Sequence, residues 1–391
     1  MLEEEMEMRF FTKVLFALVC SFALVISLTG CDLFGGDDDN DAAGTGTVTI
    51  QGNVVDTENV KINGAQLTTG DVTTTSAGGA FTLANVAVPS DGIVKITISR
   101  NGSLTTYAFE PGTSGQTLVA TYTLKTVAAG SVHNAVNMGV QQALTDDGRQ
   151  DTKKAKVEFA ANSILDANGT PVVSADITIV TQVPGDAGYA DTFPGVFAGV
   201  CTSGSTTPFE SFGFVNVDLG AGNKLDPSKP ATLTIPVGDG NVPTEPTIPL
   251  WSFDPATGKW KEEGLATRQV VGGNVFYVGQ VTHFTFYNLD RPFTGGSFVV
   301  KVASGSEFVS GAKVTITSTS SPDKTGGVWQ DIKFTGSDGK ATFMVPAGSL
   351  DVLAEKDGKQ AWGYMYDQTG MNASMTVDMA GFHHHEFWNK R

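Results

Sequence analysis

Along most of this chain apolar and polar residues alternate in short runs, and the runs are cut by Gly, Asp, Asn and Pro. A period of two puts alternate side chains on one buried face, so it predicts half-buried strands rather than helices. Val48-Thr49-Ile50-Gln51-Gly52-Asn53-Val54 opens the series, Gly64-Ala65-Gln66-Leu67 leads into a second strand, and Gly78-Gly79 turns into Ala80-Phe81-Thr82-Leu83. Further on, Val157-Glu158-Phe159, Ile164-Leu165 and Ala175-Asp176-Ile177-Thr178-Ile179 continue it, with Asn168-Gly169 as a turn. Ala231 to Pro236 is an alternating strand stopped by proline, and Leu250 to Asp254 and Val281 to Phe286 supply two more. The expected fold is all-β, a series of tandem β-sandwich domains of immunoglobulin-like or prealbumin-like kind.

The pattern divides into blocks, and the first and last echo each other. Phe298 to Val302, then Gly311-Ala312-Lys313-Val314-Thr315-Ile316, then Asp338-Gly339 feeding Lys340 to Phe343 repeats the order of the first block. Each has an opening strand, a Gly-Ala strand and a glycine turn before an alternating strand. This order resembles the carboxypeptidase-regulatory-like and collagen-adhesin B-type families, which implies small prealbumin-like sandwiches over 47–125 and 293–391 but no function. Collagen-adhesin domains sometimes carry a Lys-Asn isopeptide crosslink, which the resemblance would place at Lys301 and Asn372.

The middle block, 155–292, carries the most specific motif. Leu250-Trp251-Ser252-Phe253-Asp254 runs into an Asp-Pro-Ala-Thr-Gly turn that returns to Trp260, the form of a hairpin with aromatics facing across it. With Gly264, His283-Phe284, Asn288 and Asp290, these residues resemble the extracellular module of the cartilage intermediate layer proteins. The resemblance implies an extracellular β-rich module without assigned chemistry, and Trp251, Trp260, His283 and Asn288, set among turn and core residues, are read as structural. Between the first and middle blocks, 126–154 reads as a connecting segment. Its stretch from Ser131 to Gln142, rich in Ala, Val, Met and Gln, fits either a short helix or a piece packed on a sandwich.

The opening of the chain departs from the β pattern. Val14 to Ser27 is an apolar segment behind Arg9 and Lys13, the length of a signal-peptide core and short of the roughly 20 residues of a spanning helix. Leu28-Thr29-Gly30-Cys31 follows and resembles the lipobox of bacterial lipoproteins, implying that 1–30 is cleaved and that Cys31 carries lipid. Glu3, Glu4, Glu5 and Glu7 are unusual before such a core, and Met8-Arg9 makes the better start. Residues 31–46, with Asp37-Asp38-Asp39 and Asp41, form a small, acidic, self-repelling linker. The protein is thus expected to be membrane-bound through acylated Cys31 and outside the cytoplasm. The outer membrane or cell surface is favoured, although Asp32 resembles the signal that keeps some lipoproteins in the inner membrane.

Among 391 residues there are 46 glycines, and the formal net charge is -16 without a strong Lys/Arg cluster. That argues against a nucleic-acid partner, which needs local positive potential. Cys20 leaves with the leader and Cys31 is committed to lipid, so Cys201 stands alone and no intrachain disulfide is expected. The chain contains neither a Gly-x-Ser-x-Gly elbow nor a His-Glu-x-x-His helix. His283 with Asp254 or Asp290 is the one acid–base pairing the sequence offers, and His133 is read as structural or exposed. No enzyme activity and no cofactor are expected. His383, His384, His385 and Glu386 form the densest group of metal-ligand types, although neighbours on a strand point to opposite faces. Trp251, Trp260 and Trp329 are the candidates for stacking on a ligand; filling cores or domain contacts is their other reading. The function these features favour is a non-catalytic, lipid-anchored envelope or surface protein acting in adhesion, recognition or scaffolding towards an envelope protein, matrix protein or polysaccharide. Glycan binding within a polysaccharide system, or metal binding, is the alternative.

Overall fold

The computed structural model describes residues 46–220, 222–239, 242–320, 327–368 and 373–380. The leader, Cys31, the acidic linker up to residue 45, Asn372 and the cluster His383 to Glu386 lie outside the described residues.

The first domain has seven strands: β1 (Thr47–Asp56), β2 (Gln66–Thr69), β3 (Val72–Thr75), β4 (Ala80–Ala87), β5 (Ile93–Ser99), β6 (Thr106–Pro111) and β7 (Thr117–Leu124). They make two sheets, β4-β1-β7 and β3-β2-β5-β6, in which β1 and β7 run parallel and the other pairs antiparallel. Alternate residues Ile50, Leu67, Leu83, Ile96 and Ile98 fill the space between them. Each such buried side chain contributes about 1.5–3 kcal/mol relative to exposure.

The middle domain begins earlier than the pattern indicated. Its strands are β8 (Val132–Val136), β9 (Gln142–Thr145), β10 (Lys156–Phe159), β11 (Ile164–Leu165), β12 (Ser174–Gln182), β13 (Ala198–Val200), β14 (Thr206–Asp218), β15 (Lys224–Leu225), β16 (Ala231–Pro236), β17 (Thr247–Asp254), β18 (Lys259–Val271), β19 (Asn274–Val281) and β20 (Phe286–Pro292). The stretch Ser131 to Gln142, read as a short helix or a piece packed on a sandwich, instead supplies β8 and the start of β9. Val132 to Val136 pairs with β12 and Gln142 to Thr145 pairs with β10, and the ladder outweighs the helical leaning of Ala, Met and Gln. Val281 to Phe286 is likewise not one strand. The chain turns there between β19 and β20, and the Tyr287 hydroxyl donates to the His283 carbonyl at 2.9 Å across the turn.

Most of these strands form one 11-stranded sheet in the order β8-β12-β14-β20-β17-β18-β19-β16-β10-β9. Strand β13 bridges β14 and β18, so β14, β20, β17, β18 and β13 close on themselves. The central strands are buried on both faces. Ile248 and Leu250 enter one core, while Trp251 and Phe253 enter a second, aromatic one. Leu250 to Phe253 are accordingly all buried, Ser252 included, with no solvent-facing alternate position.

The last domain comprises β21 (Gly296–Ser304), β22 (Glu307–Phe308), β23 (Lys313–Ser320), β24 (Gln330–Phe334), β25 (Lys340–Val345), β26 (Gly348–Lys356), β27 (Lys359–Gln368) and β28 (Ala373–Asp378). Apart from the two-residue β22, it reproduces the first domain strand for strand. The sheet β25-β21-β28 matches β4-β1-β7, β24-β23-β26-β27 matches β3-β2-β5-β6, and β21 and β28 again run parallel. The sequence echo between the end blocks is therefore an echo of topology.

Candidate functional site

The three tryptophans are packed rather than displayed. Trp251 and Trp260 are 0 % exposed and Trp329 is 2 % exposed. The Trp260 indole Nε1 donates to the Pro194 carbonyl at 3.2 Å, and its ring lies 5.2 Å from Phe193 and 5.3 Å from Phe253. Trp251 packs 5.3 Å from Phe209, and Trp329 meets Phe293 edge-on at 6.0 Å. With no free face, none of the three offers a stacking surface to a ligand. Residue type alone drew attention to them; which side of the sheet they occupy decides the matter. His283 is exposed against the Tyr287 ring, whereas Asp290 is fully buried, and no contact joins them. Among the described residues no group of three or more His, Cys, Asp or Glu side chains gathers to hold a metal.

A buried polar cluster lies under the contact with the last domain. The Tyr189 hydroxyl is 2.6 Å from Ser211 Oγ, which donates to Asn288 Oδ1 at 2.7 Å. Asp290 sits beside them with its carboxyl oxygens buried. Burial pushes its pKa well above the usual carboxylate range, and the Ser211 hydroxyl offsets only part of this. On the backbone side, a bulge between Ser211 and Phe214 leaves the Ser211 amide and carbonyl turned outward. Both are taken by Val328 of the last domain, each at 2.8 Å. The C-terminal sandwich thereby occupies the edge of β14 between the stretches paired with β13 and β12.

The first domain docks through β6. The Tyr107 ring lies 5.3 Å from Phe253, the Gly195 amide donates to the Tyr107 carbonyl at 3.2 Å, and Phe109 covers the hairpin turn at Gly258. Gly258 has φ of 71°, and a Cβ there would lie 2.3 Å from the Phe109 ring, so this approach needs glycine. The expected hairpin is otherwise as read: Asp254 accepts from the Ala256 amide at 2.8 Å and the Thr257 hydroxyl at 2.9 Å.

Beside this contact the two domains leave a cleft of about 440 Å³. Its floor is set by register. Thr178 of β12 lies opposite Asp218 of β14 on one side and Val132 of β8 on the other, while Asn216 lies opposite Phe286 of β20. Cross-strand partners share a face, so these side chains line one surface. Phe284 and Pro255 extend it, and the Asn101–Thr105 loop and Tyr107 of the first domain form the facing wall. Burial and then the Asp218 charge raise the pKa of the Tyr107 hydroxyl. No single stretch of sequence signals this site, because its residues come from six separate segments.

No protein-family model and no curated protein matches the chain. Among solved structures, the Bacillus anthracis TIE protein matches with 13 % identity over 85 % of this chain and 50 % of its own, at a TM-score of 0.18. The chain thus spans about half the length of that protein. BcpA, the major pilin subunit of Bacillus cereus, matches with 8 % identity over 85 % of this chain and 99 % of its own, at 0.16. The major pilin SpaD of Corynebacterium diphtheriae matches with 11 % identity over 85 % and 97 %, also at 0.16. At such TM-scores the likeness fixes neither fold nor function, and the multi-domain β-sandwich architecture stands on the strand topology above.

Proposed function

We infer that this is a non-catalytic, lipid-anchored envelope or surface protein that works by adhesion, recognition or scaffolding. The observation that carries this reading is the interlocking of the three domains. Val328 completes the edge of β14, Tyr107 and Phe109 pack on the middle hairpin, and one apolar cluster runs from Trp251 and Trp260 into Phe298 and Trp329. Such interlocking holds surfaces from different domains in fixed relation, which suits a presenting or load-bearing role. The lipobox-like Cys31 supplies the anchor, outside the cytoplasm on the outer membrane or cell surface, with the inner membrane as the alternative given Asp32. The flanking domains are read as carboxypeptidase-regulatory-like sandwiches and the middle one as a cartilage-intermediate-layer-like module.

Glycan binding is the second reading, and the cleft between the first and middle domains favours it. The test is retention of the soluble protein, from Asp32 onward, on an array of glycans and extracellular-matrix proteins. Selective retention is the expected result; a protein that binds neither class but turns over a substrate would overturn the reading.

A further inference from the structure

We propose that the cleft between the first and middle domains is a binding site for a neutral saccharide. This rests on the glycan-recognition reading above and adds the site and the class of ligand.

The floor strands leave no backbone to recruit. Strand β12 is paired with β8 and β14, and at Asn216 β14 is paired with β12 and β20, so a peptide cannot be added as a further strand there. Recognition must come from side chains. Among the described residues the side chains of Thr105, Thr178 and Asn216 have no hydrogen-bond partner within the protein, and the Ser103 Oγ is buried without one. Hydroxyl and amide groups of this kind both donate and accept, which matches the alternating needs of a polyhydroxylated ligand. Tyr107 supplies an aromatic wall with a polar tip.

Charge narrows the class. Among the described residues no Lys, Arg or His lines the cleft, and Asp218 is its only ionisable carboxyl. Sulfated or uronate-rich glycans would meet a carboxylate with no compensating cation, in a chain of net charge -16. A neutral sugar instead donates hydroxyl protons to Asp218, giving charge-assisted hydrogen bonds. The volume of about 440 Å³ lies within the span of small-ligand sites.

The experiment is titration of the soluble protein with neutral oligosaccharides, uronate-containing and sulfated oligosaccharides, and basic peptides. Neutral sugars are expected to bind selectively, and Asp218→Ala is expected to weaken that binding on the order of tenfold. Thr178→Lys, which fills the floor with a long side chain, should abolish it, and Tyr366→Ala, remote in the last domain, should leave it unchanged. Thermal melts of each variant separate lost binding from lost folding. No binding of neutral sugars, preference for anionic sugars or basic peptides, or full binding by the folded Asp218→Ala and Thr178→Lys variants would each overturn the proposal. Matrix-protein binding that survives in those variants would sink the cleft while leaving the adhesive reading intact.

Discussion

Lys313 in the last domain and Glu110 in the first form a salt bridge with Nζ 3.1 Å from Oε2, and their side chains are only 13 % and 6 % exposed. The two end domains, twins in topology, therefore touch each other as well as the body between them. Phe334 of the last domain also packs against the core of the first.

Removing one member of this pair strands the other in a place where water cannot replace it. Lys313→Ala should cost about 3–5 kcal/mol, whereas the double replacement Lys313→Met with Glu110→Leu should be close to neutral. A double-mutant cycle in urea checks this. Equal losses for the single and double variants would show that the pair does not couple the domains.

Asp290 gives a pH-dependent expectation. Its folded pKa is raised by burial, so between the unfolded value and that raised value the folded state holds a proton that the unfolded chain has released. Stability from this group is thus fullest in acid and falls as pH rises through that interval. Asp290→Asn should raise the melting temperature at pH 7, and the gain should shrink as the pH is lowered towards 4. A variant with the same pH profile as the parent would show that Asp290 does not titrate in this window.

Gly199 tests the aromatic core. A Cβ there would lie 2.5 Å from the Trp251 ring and 2.8 Å from the Trp260 carbonyl, both held in place by neighbours. Gly199→Ala should destabilise the middle domain by about 1–3 kcal/mol and perturb tryptophan fluorescence. An unchanged unfolding midpoint would mean that the sheet yields at this point.

The proposed lipid anchor can be tested independently of the fold. Cys31→Ala should eliminate incorporation of a labelled fatty acid and release the protein from the membrane fraction, while the released protein melts as the parent does. Unchanged membrane partition would remove Cys31 from the account.

Much of the fold was legible because local chemistry and final structure agree. Ala231 to Pro236 is bounded as its alternation and proline foretell, and the Asp254–Gly258 turn forms where its residues specify. The misreadings share a cause. Val281 to Phe286 keeps a strand-like alternation yet turns, and Ser131 to Gln142 has a helix-like composition yet contributes strand β8 and the start of β9, because partners far along the chain decide both. The cleft was illegible for the same reason. Thr178, Asn216 and Tyr107 share no motif, and only strand register and domain docking bring them together.

The parallel pairing of β1 with β7, from Thr49 opposite Thr117 to Asp56 opposite Leu124, has a mechanical consequence. The chain enters the first domain at one end of this ladder and leaves at the other. Were the N-terminus held at a membrane, as proposed, tension between it and a partner gripped by the body would pull the two strands past each other. Their hydrogen bonds would then be loaded side by side in shear, not opened one at a time like a zip. A domain wired in this way resists a tug along its length far better than the modest strength of any one backbone hydrogen bond would indicate.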